Sequence, residues 1–312
     1  MFKSKPPALH HFLSMQSLNL DTLNYLLDRA EFFLTTAVAK QEVLATLRGK
    51  VIVNLFFEPS TRTRNSFEIA EHRLGAIVLS PDMKQASTAK GELLVDTIRN
   101  LEAMGASLLV IRHSANNLAE FLASELQTHI AVVNAGDGSN EHPTQTLLDL
   151  LTIRQHFKNL TDLTVAIVGD VSHSRVARSL IIGLRLMGVK KIRIISPENF
   201  TPEDAESMNV DVFHSLEAGL KAADVIYTLR IQKERMQPDQ RPKDDQYFKK
   251  FGLTSEHLKL AKSSAIVMHP GPMNRGIEIE SSVADGRQSV ILQQTQNSVA
   301  IRMAVIETLL TV

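Results

Sequence analysis

Val51-Ile52-Val53-Asn54-Leu55-Phe56-Phe57-Glu58-Pro59-Ser60-Thr61-Arg62-Thr63-Arg64 is the stretch on which the reading of the fold turns. Its first half is a β-branched and apolar run, 51–57, that stops at a Glu-Pro break. The next segment, 61–74, instead repeats its apolar residues every three or four positions. The first pattern is that of a buried strand and the second that of an amphipathic helix. The same alternation continues outward, with strands predicted at 76–79, 107–111 and 130–134 and helices at 92–104 and 115–125. Strand, helix and strand in turn imply a parallel sheet with right-handed crossovers.

A second series follows a helix predicted at 144–156. It has a strand at 163–168, a helix at 175–187, a strand at 191–195, and shorter strands near 224–228 and 265–268. Residues 159–162 read as the linker, with the preceding helix as the alternative hinge. The expectation is an α/β protein of two doubly wound parallel-sheet domains. Flanking them, 20–40 reads as helical, and 298–310 closes the chain with Val299, Met303, Ile306 and Leu310 at helical spacing. Residues 232–250, rich in charge and carrying Pro238 and Pro242, read as a mobile loop.

Composition narrows the class. The chain has 312 residues, 44% of them apolar, which suits about two domains of roughly 100–200 residues each. With no cysteine there is no disulfide framework, no thiolate metal site and no cysteine nucleophile. No apolar run approaches the ~20 residues that span a bilayer, and Met1 to Pro7 is not followed by the apolar stretch of a signal peptide. A cytoplasmic protein with no membrane partner is expected. The 34 basic and 34 acidic residues balance, so there is no general footprint for nucleic acid, and any anion must be bound locally.

Ser60 is placed to cap the helix that follows it. Thr61, Arg62 and Thr63 then form a first turn whose N–H groups lack helical partners and whose dipole favours an anion. Hydroxyls and a guanidinium complete a phosphate cradle. The plainer alternative is a simple cap, with Arg62 and Arg64 as solvated charges. Arg112 closes the strand 107–111, and the segment Gly136-Asp137-Gly138-Ser139-Asn140-Glu141-His142-Pro143-Thr144-Gln145 follows the strand ending at Asn134. Taken singly, Arg112 suits a surface and His142 a cap or a core histidine. Together they lie at carboxyl ends of parallel strands, where open α/β sheets bind ligands.

In the second series, Gly169-Asp170-Val171-Ser172-His173-Ser174-Arg175 joins a strand to a helix but lacks the G-x-G-x-x-G spacing of a dinucleotide site. Arg175, and Arg230 after the strand 224–228, are suited to grip carboxylates; each also suits an ordinary solvated position. The loop His269-Pro270-Gly271-Pro272-Met273-Asn274-Arg275-Gly276 is stiffened by prolines, and its carbonyls can accept N–H bonds from a ligand, unless it is only a tight turn. The segment 86–92 precedes a helix that Ser87 or Thr88 can cap, with Lys90 beside it. Eleven histidines show no metal-ligand spacing, so no metal and no cofactor are expected.

Taken together, Phe57 to Arg64, His142-Pro143-Thr144-Gln145 and His269-Pro270-Gly271-Pro272 resemble the aspartate/ornithine carbamoyltransferase family, most of all its aspartate-specific catalytic chains. The resemblance runs from about residue 50 to the C-terminus. It implies transfer of a carbamoyl group from carbamoyl phosphate to aspartate, a step of pyrimidine biosynthesis, in a cleft between two domains. These would be 1–143 plus 298–312 for carbamoyl phosphate and 144–297 for aspartate. It implies a homotrimer with shared active sites and leaves room for regulatory or dihydroorotase-like partner chains. By resemblance, Ser60, Thr61, Arg62 and Thr63 hold the phosphate, with Arg112 reaching both phosphate and carbonyl oxygen. His142 and Thr63 polarise that carbonyl, and Gln145 with the carbonyls of Gly271 and Pro272 orients the carbamoyl nitrogen. Arg175, Arg230 and Gln232 hold the aspartate carboxylates, and Ser87 and Lys90 enter from a neighbouring chain.

Two positions depart from the family pattern: Val176 stands where relatives often have threonine, and Gly271-Pro272 where some have Leu-Pro. The ornithine branch is the nearest alternative, but typically carries H-P-C-Q where this chain has Thr144. A non-catalytic assembly subunit of the same fold is the other, although the phosphate-site residues are all kept.

Overall fold

The computed structural model describes residues 6–83, 91–125 and 130–311. Two compact units divide the chain, Met1–Leu151 with Thr295–Val312, and Thr152–Gln294. Both division points fall inside helices, so the second unit begins later than the residue 144 expected from sequence and ends before 297.

In the first unit, helix α1 (Leu20–Phe33) starts where the Asn19 side chain accepts the Thr22 N–H at 2.8 Å, and it buries Leu23, Leu26, Leu27, Ala30 and Phe33. It does not run on as α-helix to residue 40. From Leu34 to Val38 the backbone widens into a π turn, and there the Thr35 and Thr36 hydroxyls donate back to the Phe32 carbonyl at 2.9 and 2.8 Å. Such back-bonding competes with the regular ladder.

Strand β1 (Val51–Phe56), helix α2 (Thr61–Arg73), β2 (Ile77–Leu79), α3 (Leu94–Ala103), β3 (Ala106–His113), α4 (Leu118–Glu125) and β4 (Ala131–Asp137) follow. The four strands are all parallel, in the order β2-β1-β3-β4. Val53, Leu55, Leu109, Ile111 and Val132 form the core with Ile98, Ala119 and Leu122 from the covering helices. Each of the valine, leucine and isoleucine side chains contributes about 1.5–3 kcal/mol by burial. Helix α3 starts after Leu93, so its cap lies beyond Ser87 and Thr88.

Helix α5 (Pro143–His156) leads to the second unit. That unit holds β5 (Thr164–Val168), α6 (Arg175–Leu186), β6 (Lys191–Ile195), β7 (Asp211–Phe213), α7 (Leu216–Gly219) and β8 (Val225–Thr228). After these come α8 (Asp244–Phe251), α9 (Ser255–Leu258), β9 (Ile266–Met268), α10 (Ser281–Ala284) and the start of α11 (Ile291–Thr311). Its sheet is again parallel throughout, ordered β7-β6-β5-β8-β9. β5 is buried along its whole length, as a central parallel strand covered on both faces should be. Both units are therefore α/β with parallel sheets, as the alternating pattern predicts.

Three further elements differ from the sequence expectation. Residues 232–250 are not one loop: 3-10 turns at Lys233–Arg235 and Pro238–Gln240 lead into α8. Tyr247 and Phe251, one turn apart, are buried with Phe200, Ile231 and Met236, while Asp244 and Asp245 in the first turn and Lys249 and Lys250 in the last suit the helix dipole. Charge at the helix ends thus masks an ordinary amphipathic turn. α11 starts before residue 298, because its first turns bury amide side chains that hide the apolar spacing: Gln294 and Asn297 are almost fully buried. β7 opens on Asp211 and offers only two apolar residues, Val212 and Phe213, where the three-residue β2 and β9 are apolar throughout. Among the described residues, no helix is long and apolar enough to cross a membrane.

Candidate active site

The sheet orders place two switch points. In the first unit the chain moves from β1 to β2 on one side and then returns to β3 on the other. In the second it moves from β5 to β6 and β7, and returns to β8. Ligands in doubly wound sheets bind beyond the carboxyl ends of the two strands that flank such a reversal.

At the first switch point, β1 and β3 end in register, Phe56 opposite Arg112, and the Phe57 N–H donates to the Arg112 carbonyl at 2.9 Å. The start of α2 is thereby held beside Arg112. Ser60 occupies the N-cap position, but its side chain makes no capping bond, which corrects the expected cap. Thr61 and Arg62 are exposed, Thr63 is buried, and no acidic residue lies in the first turn. The first-turn N–H groups and the positive end of the dipole therefore face outward without an internal anion. Arg64 is not a solvated charge: it donates to Glu68 at 2.9 Å and to the Ser80 carbonyl at 3.0 Å. Arg112 is held by a bond from Nη1 to the Ala135 carbonyl at 3.0 Å, with Glu58 at 3.5 Å from its Nε.

β4 delivers the next loop. Gly136 has φ +117°, a conformation open to glycine, and it turns the chain so that Asp137 becomes a brace. One carboxylate oxygen of Asp137 accepts Asn134 Nδ2 at 2.9 Å and the Glu141 N–H at 3.1 Å. The other accepts the Asn117 N–H at 2.6 Å and Asn140 Nδ2 at 3.1 Å. The braced loop presents His142, almost fully buried, whose carbonyl accepts the Gln145 and Thr146 N–H groups and so begins α5. One turn further in, Gln145 Nε2 donates to Asp149 at 3.1 Å.

The second switch point repeats this construction. Gly169 has φ +123°, and a Cβ there would lie 2.8 Å from the Leu229 carbonyl oxygen, so only glycine allows β5 and the chain after β8 to approach this closely. Asp170, wholly buried, accepts the His173 N–H at 3.3 Å and lies 2.8 Å from His173 Nδ1 through one oxygen. Its other oxygen accepts the Gln232 N–H at 2.9 Å. This carboxylate ties the β5 loop, which carries Arg175, to the β8 loop, which carries Arg230 and Gln232. Ser174 caps α6, and Arg175 is buried as its first residue. Arg230 is bound by both guanidinium nitrogens to Glu234 and touches Gln232 Oε1 at 3.2 Å. That pairing raises the Arg230 pKa. Burial opposes charge on Glu234, yet its bonds from Arg230 hold it below the usual carboxylate range.

After β9, Gly271 N–H donates to His269 Nδ1 at 2.8 Å, which leaves the proton of the ring on Nε2, 3.1 Å from Glu278. The Asn274 N–H also donates to Glu278, and the Gly271-Pro272 bond is cis. The 269–274 loop is thus a braced turn that leaves Gly271 and Pro272 at its tip. Ser87 and Lys90 lie outside the described residues.

The profile for the carbamoyl-phosphate-binding domain of aspartate/ornithine carbamoyltransferases matches residues 10–155, and that for the Asp/Orn-binding domain matches 161–309. The chain belongs to the aspartate/ornithine carbamoyltransferase family. Among solved structures, it is similar to aspartate transcarbamoylase from Trypanosoma cruzi in complex with carbamoyl aspartate and phosphate. There the TM-score is 0.88 at 30% identity, covering 99% of this chain and 100% of that one. The same enzyme in complex with N-(phosphonacetyl)-L-aspartic acid matches at TM-score 0.86 and 30% identity, over 96% and 95%. Ornithine carbamoyltransferase from Thermus thermophilus matches at TM-score 0.84 and 29% identity, over 97% and 100%.

For a carbamoyltransferase, the residues that sequence reading passed over are acids: the braces Asp137, Asp170 and Glu278, and Glu234, the exposed partner of Arg230. None bears the cationic or hydroxyl chemistry that suggests an anion site. A signal for two of them was nevertheless present, since Gly136-Asp137 ends one strand and Gly169-Asp170 follows another.

Proposed function

We propose that this carbamoyltransferase acts on L-aspartate, forming N-carbamoyl-L-aspartate and phosphate from carbamoyl phosphate. The observation that carries the reading is the second switch point, where Arg175 follows the β5 loop and Arg230 the end of β8, with Gln232 on the β8 loop tied to the β5 loop through Asp170. Two guanidinium forks suit the two carboxylates of aspartate, whereas the side chain of ornithine ends in a cation that arginines repel. The solved complexes with aspartate-derived ligands among the similar structures support the same choice.

In this reading the first unit takes carbamoyl phosphate. The N-terminus of α2, with Ser60, Thr61, Arg62 and Thr63, holds the phosphate. Arg112, Thr63 and His142 donate to the carbonyl oxygen, on which negative charge grows as the neutral α-amine attacks the carbon. The new C–N bond forms as the C–O bond to phosphate breaks. The phosphate leaves with its electron pair, and the surplus proton of the amine passes to solvent or to the departing phosphate. Gln145 and the carbonyls of Gly271 and Pro272 accept from the carbamoyl NH2, and Arg175, Arg230 and Gln232 fix the aspartate, so that proximity supplies the rest of the rate. No covalent enzyme intermediate is required. Val176 leaves only a backbone contact where relatives offer a hydroxyl. Ser87 and Lys90 act from a neighbouring chain of a cytoplasmic homotrimer in pyrimidine biosynthesis.

The test is a product assay with carbamoyl phosphate and either aspartate or ornithine. Carbamoyl-aspartate as the main product is expected, and turnover of ornithine with no turnover of aspartate refutes the reading. Mixing two nearly inactive proteins, Arg62→Ala and Lys90→Ala, should restore partial activity if sites are shared. Absence of recovery in verified mixed trimers rules out sharing.

A further inference from the structure

Gln145 and Asp149 stand one turn apart on α5. Both are buried, and Gln145 Nε2 lies 3.1 Å from Asp149 Oδ1. A carboxylate that keeps its charge can only accept hydrogen bonds, whereas the two ends of an amide differ, one donating and the other accepting. The carboxylate therefore dictates which end of the amide it meets. Nε2 turns to Asp149, and Oε1 faces away.

A buried carboxylate keeps its charge where a cation or enough hydrogen-bond donors answer it. Arg302, on α11 in the same unit, is fully buried. Its guanidinium lies 4.7 Å from the Phe67 ring centroid, its Nη1 donates to the Ser298 carbonyl at 3.1 Å, and it interacts electrostatically with both Asp149 and Glu71. Glu71 is the weaker counter-charge, because it accepts Asn54 Nδ2 at 2.7 Å in a site where burial favours its neutral form. Asp149 and Arg302 therefore attract one another within the interior of the unit.

We propose that Asp149 is a positioning residue that holds the Gln145 amide with Oε1 toward the NH2 of the carbamoyl donor. The inference rests on the reading of Gln145 given above. Its consequence is selectivity: the site tells carbamoyl phosphate from acetyl phosphate, which carries a methyl group where the NH2 stands. A flipped amide sets donor against donor and loses that distinction.

The experiment measures, on the whole enzyme, the KM for carbamoyl phosphate and the competitive inhibition constant of acetyl phosphate. In Asp149→Asn, an amide replaces the carboxylate, and its NH2 group, turned to Gln145, reverses the amide there. The KM for carbamoyl phosphate should rise about tenfold, the scale of one hydrogen bond replaced by a mismatched pair, with the acetyl phosphate constant changed less than about twofold. Should Asp149→Asn fail to fold, the charge-free double variant Asp149→Leu/Arg302→Met is expected to show the same loss of selectivity. Two constants that move together, as a purely structural role requires, overturn the proposal, and so do two that stay fixed. Gln145→Met separates the two readings. If it leaves selectivity intact, the role of Gln145 itself is wrong; if it abolishes selectivity while Asp149→Asn does not, only the positioning role fails. Adding Asp149→Asn to Gln145→Met should cost no further selectivity.

Discussion

Asp170→Ala removes the carboxylate that ties the loop of Arg175 to the loop of Gln232. Three bonds are lost: two to His173, at 3.3 and 2.8 Å, and one from the Gln232 N–H at 2.9 Å. Hydrogen bonds to a charged acceptor are worth about 1.5–3 kcal/mol each. His173 and Gln232 are half-buried, however, so water recovers part of the loss, and a net cost of about 2–4 kcal/mol is expected. Arg235 still holds the His173 carbonyl at 2.7 Å, so the loop loosens without leaving. The chain has no tryptophan and three tyrosines. Tyr227 and Tyr247 are buried in the second unit, so near-ultraviolet dichroism during urea unfolding follows chiefly that unit. The KM for aspartate should rise about tenfold, equivalent to ~1.4 kcal/mol, while that for carbamoyl phosphate changes less than about twofold. An unchanged aspartate KM in a destabilised second unit would falsify the claim that Asp170 sets the spacing of the aspartate-binding groups. A parallel rise in both constants would assign it a global role instead.

The mirror experiment in the first unit is Asp137→Ala, which strands four donors and should cost about 3 kcal/mol; steady-state kinetics should show the carbamoyl phosphate KM rising with little change for aspartate. Glu71→Gln tests the buried carboxyl whose pKa burial raises to about 8. The folded form keeps this proton between about pH 4.5 and 8 while the unfolded form has lost it, so the wild type loses stability as pH rises through that window, by at most about 5 kcal/mol. Urea midpoints of wild type and Glu71→Gln should therefore diverge in favour of the variant from about pH 5 to about pH 8.5, and a constant gap speaks against the raised pKa. Glu234→Gln loosens an ion pair whose acidic partner is 54% exposed. Exposed pairs are worth about 0–1 kcal/mol, so the aspartate KM should shift less than about threefold, and a tenfold change means that Glu234 does more than hold Arg230 in the absence of substrate. Gly169→Ala places a Cβ against the Leu229 carbonyl in a left-handed backbone and should cost about 2–5 kcal/mol in chemical unfolding.

The fold was legible where a change of period marked it. The switch from the run 51–57 to helical spacing after Ser60 located β1 and α2 almost to the residue, and Lys191–Ile195 matched outright. Strand order was not legible, because nothing in β2 or β3 alone says on which side of β1 each lies, and the switch points came only with the pairing. α8 was hidden by charges that belong at helix ends. At the site, cations and hydroxyls were legible because their chemistry names a ligand. The braces were not, because Asp137 and Asp170 bind only the protein's own N–H and amide groups. Arg230 reads from the sequence as a candidate carboxylate binder, but its pairing with Glu234 depends on a turn at Lys233–Arg235 that charge and proline obscured.

An anion site that contains carboxylates invites an electrostatic objection, since Asp137 and Asp170 lie on the loops that carry His142 and Arg175. The answer lies in how those carboxylates are used. Asp137 accepts four hydrogen bonds and Asp170 accepts from Gln232 and His173, so their charge is directed into backbone and amide dipoles. Each replaces, with fixed protein groups, the solvation it gave up. Glu234 is the contrasting case: exposed, paired to Arg230, and displaceable at small cost. This chain thus places its acids in two kinds of position around the arginines proposed to hold substrate, as buried struts that fix loop geometry and as an exposed partner that can give way to an incoming carboxylate. A chain of zero net charge can on this arrangement bind anions, because the acids that remain near the site are already engaged by the protein or readily exchanged.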